Sequence, residues 1–130
     1  MLVLDANILL EILEERTFYN GVVSALEKYA EQGVSFGIST LSVSNTFYLA
    51  EKHKISTERV EWLIENYKIF SVLPTDVDWA LAHYKGQDFE DAIQIAAALR
   101  EKCSVFMTLD SSLAKKYRKF LNIRLVGEPI

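Results

Sequence analysis

The chain has 130 residues, half of them hydrophobic, with 14 Lys and Arg against 18 Asp and Glu and a formal net charge of −4. That length fits one domain over residues 1–130, and that apolar content supports a core and excludes a disordered chain. The acidic balance disfavours nucleic-acid binding through bulk charge, and a single cysteine excludes an internal disulfide.

Residues 1–4 form a short apolar run that ends at Asp5, the pattern of a buried strand. The start lacks the basic stretch and long apolar segment of a signal peptide, and no segment is long enough to cross a bilayer. A cytoplasmic protein without membrane attachment is the expectation. Helical spacing follows through Ile8, Leu9, Ile12 and Leu13, with Glu11, Glu14, Glu15 and Arg16 on the outer face and end. A second helix is predicted over residues 18–32, with Val22, Leu26, Tyr29 and Ala30 inward and Gly33 as its stop. Residues 36–39 read as a second strand, and Ser39, Thr40 and Ser42 offer caps for a helix to about residue 52.

Residues 56–59 open a fourth helix, carried by Val60, Leu63, Ile64 and Tyr67. A third strand is expected over residues 70–73, stopped by Pro74. Thr75 or Asp76 then caps a helix whose inner face is Val77, Ala80, Leu81 and Tyr84. Gly86 breaks it. Asp88 begins the most apolar helix, which its Ala and Ile content marks as buried nearly all round. Residues 105–107 form a fourth strand leading to Thr108, Leu109 and Asp110. A last helix covers residues 112–120, and residues 123–126 suit an edge strand. Short apolar strands alternating with helices predict an α/β fold of three layers, α/β/α, around a mainly parallel sheet of four or five strands.

Ligand sites in such sheets lie at the carboxyl ends of the strands. Asp5 and Asp110 fall there, and Asp88 and Asp91 stand at a helix start. Each also has a helix-capping reading, since a carboxylate suits the amide end of a helix. Gathered at one point without a basic partner, they would repel one another, and a hard divalent cation would relieve the repulsion. Asp91, one turn into its helix, is the stronger ligand candidate of its pair; Asp88 is a cap or a second ligand acting through water. Thr108 lies two residues before Asp110, placed to hydrogen-bond a carboxylate or a metal-bound water.

His53 and His83 stand alone, and neither a Ser/His/Asp arrangement nor a glycine-rich phosphate loop is present. Trp62 and Trp79 fit helix packing, and Cys103 fits a buried thiol. The basic run Lys115, Lys116, Arg118, Lys119 and Arg124 is either a solvated helix face or a phosphate-contacting patch.

The segments Leu2-Val3-Leu4-Asp5-Ala6-Asn7, Ile38-Ser39-Thr40-Leu41-Ser42, Asp88-Phe89-Glu90-Asp91-Ala92 and Thr108-Leu109-Asp110, in that order, resemble the PIN domain over essentially the whole chain. The likeness is to VapC-like toxins of type II toxin–antitoxin systems and neighbouring bacterial and archaeal PIN proteins. The resemblance implies a Mg²⁺- or Mn²⁺-dependent ribonuclease with Asp5, Asp91 and Asp110 as acidic ligands and Asp88 close by. It implies Asn7, Ser39 and Thr108 as polar companions, and Lys115 and Lys116 on the RNA backbone. It further implies an antitoxin partner and a homodimer. Asn45 stands where many members carry Glu, and Glu51, six residues on, points elsewhere on the helix. Asn45 would then orient a water or a substrate hydroxyl, with weaker metal binding or a changed substrate range. Two alternatives stay open: a PIN-like RNA- or protein-binding module, and a small-ester phosphohydrolase with Asp5 as nucleophile.

Overall fold

The computed structural model describes residues 1–84 and 86–127. Five strands form one sheet: β1 (Leu2–Leu4), β2 (Phe36–Ser39), β3 (Lys68–Phe70), β4 (Val105–Thr108) and β5 (Ile123–Leu125). Their order across the sheet is β3-β2-β1-β4-β5, and every pairing is parallel. Among the described residues seven helices flank it: α1 (Ala6–Glu14), α2 (Tyr19–Glu31), α3 (Thr40–Lys52), α4 (Thr57–Ile64), α5 (Pro74–His83), α6 (Phe89–Arg100) and α7 (Ser111–Tyr117). None of these helices is long and apolar enough to cross a membrane.

Side chains alternate between the two faces of a strand, so a strand covered on both faces is apolar throughout. β1 and β4 show this. Val3 and Phe106 enter the core under α5, α6 and α7, with Ala80, Ile95 and Leu113. Leu2, Leu4, Val105 and Met107 enter the core under α1 and α2, with Ile8, Leu9, Val22 and Leu26. A small third cluster of Leu13, Ala50 and Val60 ties α1, α3 and α4 together. Cys103 is buried in the first core, and that burial pushes its thiol up to about 11, so it is an inert packing group.

The sheet order creates the site. From β1 the chain moves outward to β2 and β3, then returns across β1 to build β4 and β5 on the other side. β1 and β4 are therefore neighbours whose chains leave in opposite directions at their carboxyl ends, which is a topological switch point. Asp5 follows β1 and Asp110 follows α7's own strand, β4. α6 runs against the strands: its far end carries Arg100 and Glu101, and Glu101 meets Lys68 at the start of β3. Its first turn, with Asp91, is thereby delivered to the carboxyl edge.

Several local expectations are corrected. The third strand lies at Lys68–Phe70, not at residues 70–73, because β2 ends at Ser39 opposite Phe70 and leaves nothing to pair with beyond it. Neither Thr75 nor Asp76 is the N-cap of α5. Pro74 is its first residue, and Asp76 reaches back to accept the Leu73 amide at 2.8 Å. Leu81 and Tyr84 are exposed, and the inner side of α5 is Asp76, Ala80 and Trp79. On α2, Ala30 is exposed and Ala25 takes the inward place. Glu11 is buried, its Oε2 accepting the Phe18 amide at 2.7 Å, so it fastens the turn after α1 and is no part of an outer face. Trp79 packs as expected, but Trp62 is 76% exposed on α4.

Candidate active site

Asp5 is 7% exposed and occupies the N-cap position of α1 without making a side-chain cap. Its Oδ2 instead accepts the Thr108 hydroxyl at 2.8 Å and the Asn7 amide at 3.3 Å. The Asn7 amide also lies 3.2 Å from Thr108 Oγ1, and Asn7 Oδ1 accepts the Leu109 amide at 3.2 Å. Asn7 thus staples the exits of β1 and β4 together. Thr108 Oγ1 accepts the Asp110 amide at 3.0 Å, which fixes the backbone that carries the next carboxylate. Asp110 does cap its helix: Oδ1 accepts the amides of Ser112 at 2.9 Å and Leu113 at 3.1 Å.

Asp91 arrives from the first turn of α6 and is half-buried. Burial, and then the charges of Asp5, Asp110, Asp88 and Glu90, push its carboxyl up to about 7. Asp5 is also pushed above its ordinary value. Burial is the main cause and the charge of Asp110 adds to it; hydrogen bonds from Thr108, the Ala6 backbone and Gln94 oppose it. Asp5, Asp91 and Asp110 therefore stand within electrostatic reach of one another at one edge of the sheet, although they come from three distant parts of the chain.

Asp88 adopts a left-handed backbone, φ 58°, and makes no side-chain cap to α6. Among the described residues, three other non-glycine residues have positive φ: Glu15, Lys54 and Lys102. All of them follow helices, where that conformation is an ordinary terminator, whereas Asp88 precedes one. Its Oδ2 is 3.8 Å from Lys116 Nζ. Lys115 and Lys116, on α7, line a cleft with His83, Lys119 and Phe120 that opens beside Asp88. Three lysines of the basic run, Lys115, Lys116 and Lys119, so share one cleft, and Lys116 brings it next to Asp88.

Ser39 is buried, and its Oγ accepts the Ser42 amide at 3.1 Å to cap α3. Asn45 lies further along α3, and its amide donates to Glu90 Oε1. Sequence reasoning missed two residues here. Gln94 is buried, accepts the Ser42 hydroxyl at 2.5 Å and favours the charged form of Asp5. Glu90 adds its charge to Asp91. The available signal for both was their i, i+4 spacing on the buried helix that carries Asp91.

The donors gathered here are carboxylate, hydroxyl and amide oxygens, the set that Mg²⁺ and Mn²⁺ take and that softer metals do not favour. Carboxylates raised by burial and then by neighbouring charge are what a divalent cation would relieve. Among the described residues, no three acidic, imidazole or thiol groups are arranged so as to hold a metal ion. The fit is one of donor chemistry and charge.

The sequence model of the PIN domain matches residues 2–119. No functionally curated protein matches the chain by sequence. Among solved structures, a toxin–antitoxin complex from Klebsiella pneumoniae superposes with a TM-score of 0.77 at 19% identity, covering 99% of this chain and 100% of that one. VapBC2 from Rickettsia felis, bound to a DNA fragment from its promoter, gives 0.72 at 14% identity over 95% and 97%. VapC20 from Mycobacterium tuberculosis, a toxin that cleaves the sarcin-ricin loop, gives 0.69 at 10% identity over 88% and 94%. At such identities the likeness is one of fold.

Proposed function

We propose, from the premise that the chain belongs to the PIN-domain family, that it is a divalent-metal-dependent ribonuclease acting as the toxin of a toxin–antitoxin pair. The observation that carries this reading is the meeting of Asp5, Asp91 and Asp110 at the switch point of the sheet, where burial and then the charges of Asp5 and Asp110 raise the Asp91 carboxyl. Carboxylates kept together without a cation among them are costly, and a metal-assisted phosphodiesterase has a use for that arrangement.

Asp5, Asp91 and Asp110 would hold the ion, with Asp88 at the rim. When bound, Mg²⁺ or Mn²⁺ supplies a water of lowered pKa and stabilises charge on the phosphoryl oxygens. Thr108 and Asn7 orient the Asp5 carboxylate through its Oδ2. Asn45, on α3, would orient a water or a substrate hydroxyl. Lys115 and Lys116 would take the RNA backbone, setting a local positive wall against the net charge of −4. Ser39 supports this region as the cap of α3.

The reading places the whole chain, residues 1–130, in one cytoplasmic domain. Exposed apolar side chains on α3 and α4, Tyr48 at 64% and Trp62 at 76%, supply surface for an antitoxin or a second copy in a homodimer. The solved relatives described as toxin–antitoxin complexes support the antitoxin partner.

The test is cleavage of a labelled RNA by the purified chain with Mg²⁺ or Mn²⁺, and its arrest by chelation. Asp5→Asn should lower the rate by about 1,000-fold, a loss of about 4 kcal/mol in transition-state stabilisation, while the melting temperature holds or rises. Unchanged cleavage by a rigorously purified Asp5→Asn protein would remove the assignment. A second reading, a PIN-like module that binds RNA or protein without cutting, is favoured by the neutral Asn45 on α3. Calorimetry with Mn²⁺ separates the two, because only the nuclease should bind the ion.

A further inference from the structure

We propose that Glu90 is a metal-directed carboxylate of this site and that Asn45 is its positioning residue. The inference rests on the nuclease reading above and adds an acidic group to it from the α3 side.

Glu90 lies in the first turn of α6 beside Asp91 and is exposed. An exposed glutamate samples many rotamers, and fixing it costs side-chain entropy. Here its Oε1 accepts the Asn45 amide, which comes from a different helix. The contact is not isolated. One turn earlier on α3, Ser42 donates to Gln94, which lies four residues after Glu90 on α6. Spacings of three on α3 and four on α6 keep each pair of residues on one helix face. The two hydrogen bonds therefore form successive rungs between the same two faces. The Ser42–Gln94 rung is buried, so it fixes the register that brings Asn45 opposite Glu90.

The chemistry of the rung matters. A lysine opposite Glu90 would neutralise it. An amide orients the carboxylate and leaves its charge in place. The two acids that flank Asp91 consequently differ. Asp88 lies 3.8 Å from the ammonium of Lys116, whereas Glu90 is held by a neutral donor. Both act electrostatically on Asp91, so Glu90 borders the same acidic group. Gln94, the partner in the buried rung, also acts on Asp5. One face of α6 thereby presents Glu90, Asp91 and Gln94 to the carboxyl edge of the sheet.

Isothermal calorimetry with Mn²⁺ on the metal-free chain, supported by the paramagnetic resonance of free Mn²⁺, tests this without any cleavage assay. Glu90→Gln should weaken Mn²⁺ binding by about 10- to 100-fold, and by more than Asp88→Asn does. Asn45→Ala should weaken it by about threefold to tenfold, since the charge stays but its orientation is lost. The exchange Asn45→Glu/Glu90→Gln returns the carboxylate from the opposite helix and keeps an amide–carboxylate pair. It should recover affinity to within a few-fold of the wild type, a rescue that a merely structural contact would not give. Mn²⁺ affinity of Glu90→Gln within twofold of wild type would overturn the inference and leave the metal site standing. An exchange variant as weak as Glu90→Gln would also overturn it. A wild-type chain that binds no Mn²⁺ would overturn the nuclease reading itself, and this proposal with it.

Discussion

Two buried aspartates stand near helix starts in this molecule, and their surroundings are opposite. Asp76 on α5 is 2% exposed and Asp5 after β1 is 7% exposed. Arg100 Nε lies 3.1 and 3.3 Å from the two oxygens of Asp76, Arg100 Nη2 lies 3.1 Å from Oδ2, and the Leu73 amide adds a third donor. Asp5 meets neutral donors, the Thr108 hydroxyl and the Asn7 amide at Oδ2 with the Ala6 backbone and Gln94 besides, and it faces other carboxylates. Burial is therefore a poor marker of chemistry by itself. What separates a structural carboxylate from a chemical one is whether the fold provides a cation for it. Asp76 is completed by Arg100 and locks α5 to the end of α6. Asp5 is oriented by neutral donors and its charge remains available.

The contrast predicts that the two residues fail in different assays. Asp76→Ala leaves the Leu73 amide without its acceptor and removes the buried carboxylate from Arg100, which keeps Glu101 and the Ser71 carbonyl. It should destabilise the fold by about 3 kcal/mol, the low end for breaking a buried pair because Arg100 is partly exposed. A urea melt measures this, and Mn²⁺ affinity of the folded fraction should stay within about twofold of wild type. A shift of the urea midpoint no larger than that of an ordinary surface variant would dissolve the distinction between the two aspartates.

Thr108 sharpens the comparison from the other side. It is fully buried and its hydroxyl bridges Asp5 and the Asp110 backbone. Thr108→Val keeps the shape and removes the bridge, so Mn²⁺ affinity should fall by about 10- to 100-fold, whereas Thr108→Ser should retain most of it. Equal affinity in wild type and Thr108→Val, read by calorimetry, would reduce Thr108 to a packing residue.

The contrast also shows what a sequence discloses. Asp5 and Asp110 were legible because strand ends are marked by short apolar runs, and Asp91 because a polar start to an apolar helix is conspicuous. A mainly parallel sheet followed from the same alternation, and every pairing in it is parallel. Asp76 gave no sign of being structural, since its partner Arg100 lies 24 residues away at the far end of another helix. Glu90 and Gln94 were passed over for the same kind of reason. Their meaning depends on the register of α3 against α6, and tertiary packing sets that register. Periodicity also erred where apolar residues are solvent-facing, as with Leu81 and Trp62, and where an acid turns inward to close a backbone turn, as with Glu11. The strand placed at residues 70–73 was apolar enough, but its neighbour had already ended at Ser39.

The smallest expected effect reads the strain of the acidic group directly. The Asp91 carboxyl is raised to about 7 in the folded chain, against 3.8 for an unperturbed aspartate. Between those values the folded state holds a proton that the unfolded state has released, so stability falls as pH rises through that window and levels off above it. Discounting the shift for the partial exposure of Asp91 leaves a change of about 1 to 2 kcal/mol. The melting temperature of the metal-free wild type should then drop from pH 5 to pH 8 more steeply than that of Asp91→Asn, which has no carboxyl there to ionise. Asp5 is raised as well and contributes a slope of the same sign to both proteins, so the difference between them reports Asp91 together with its coupling to Asp5. Adding Mn²⁺ at pH 8 should lift the wild type and leave Asp91→Asn nearly where it was, because the ion stabilises the charge that the fold alone does not. Superimposable pH profiles for the two metal-free proteins would mean that Asp91 is as well accommodated as Asp76, and the contrast between the two regions would lose its electrostatic basis.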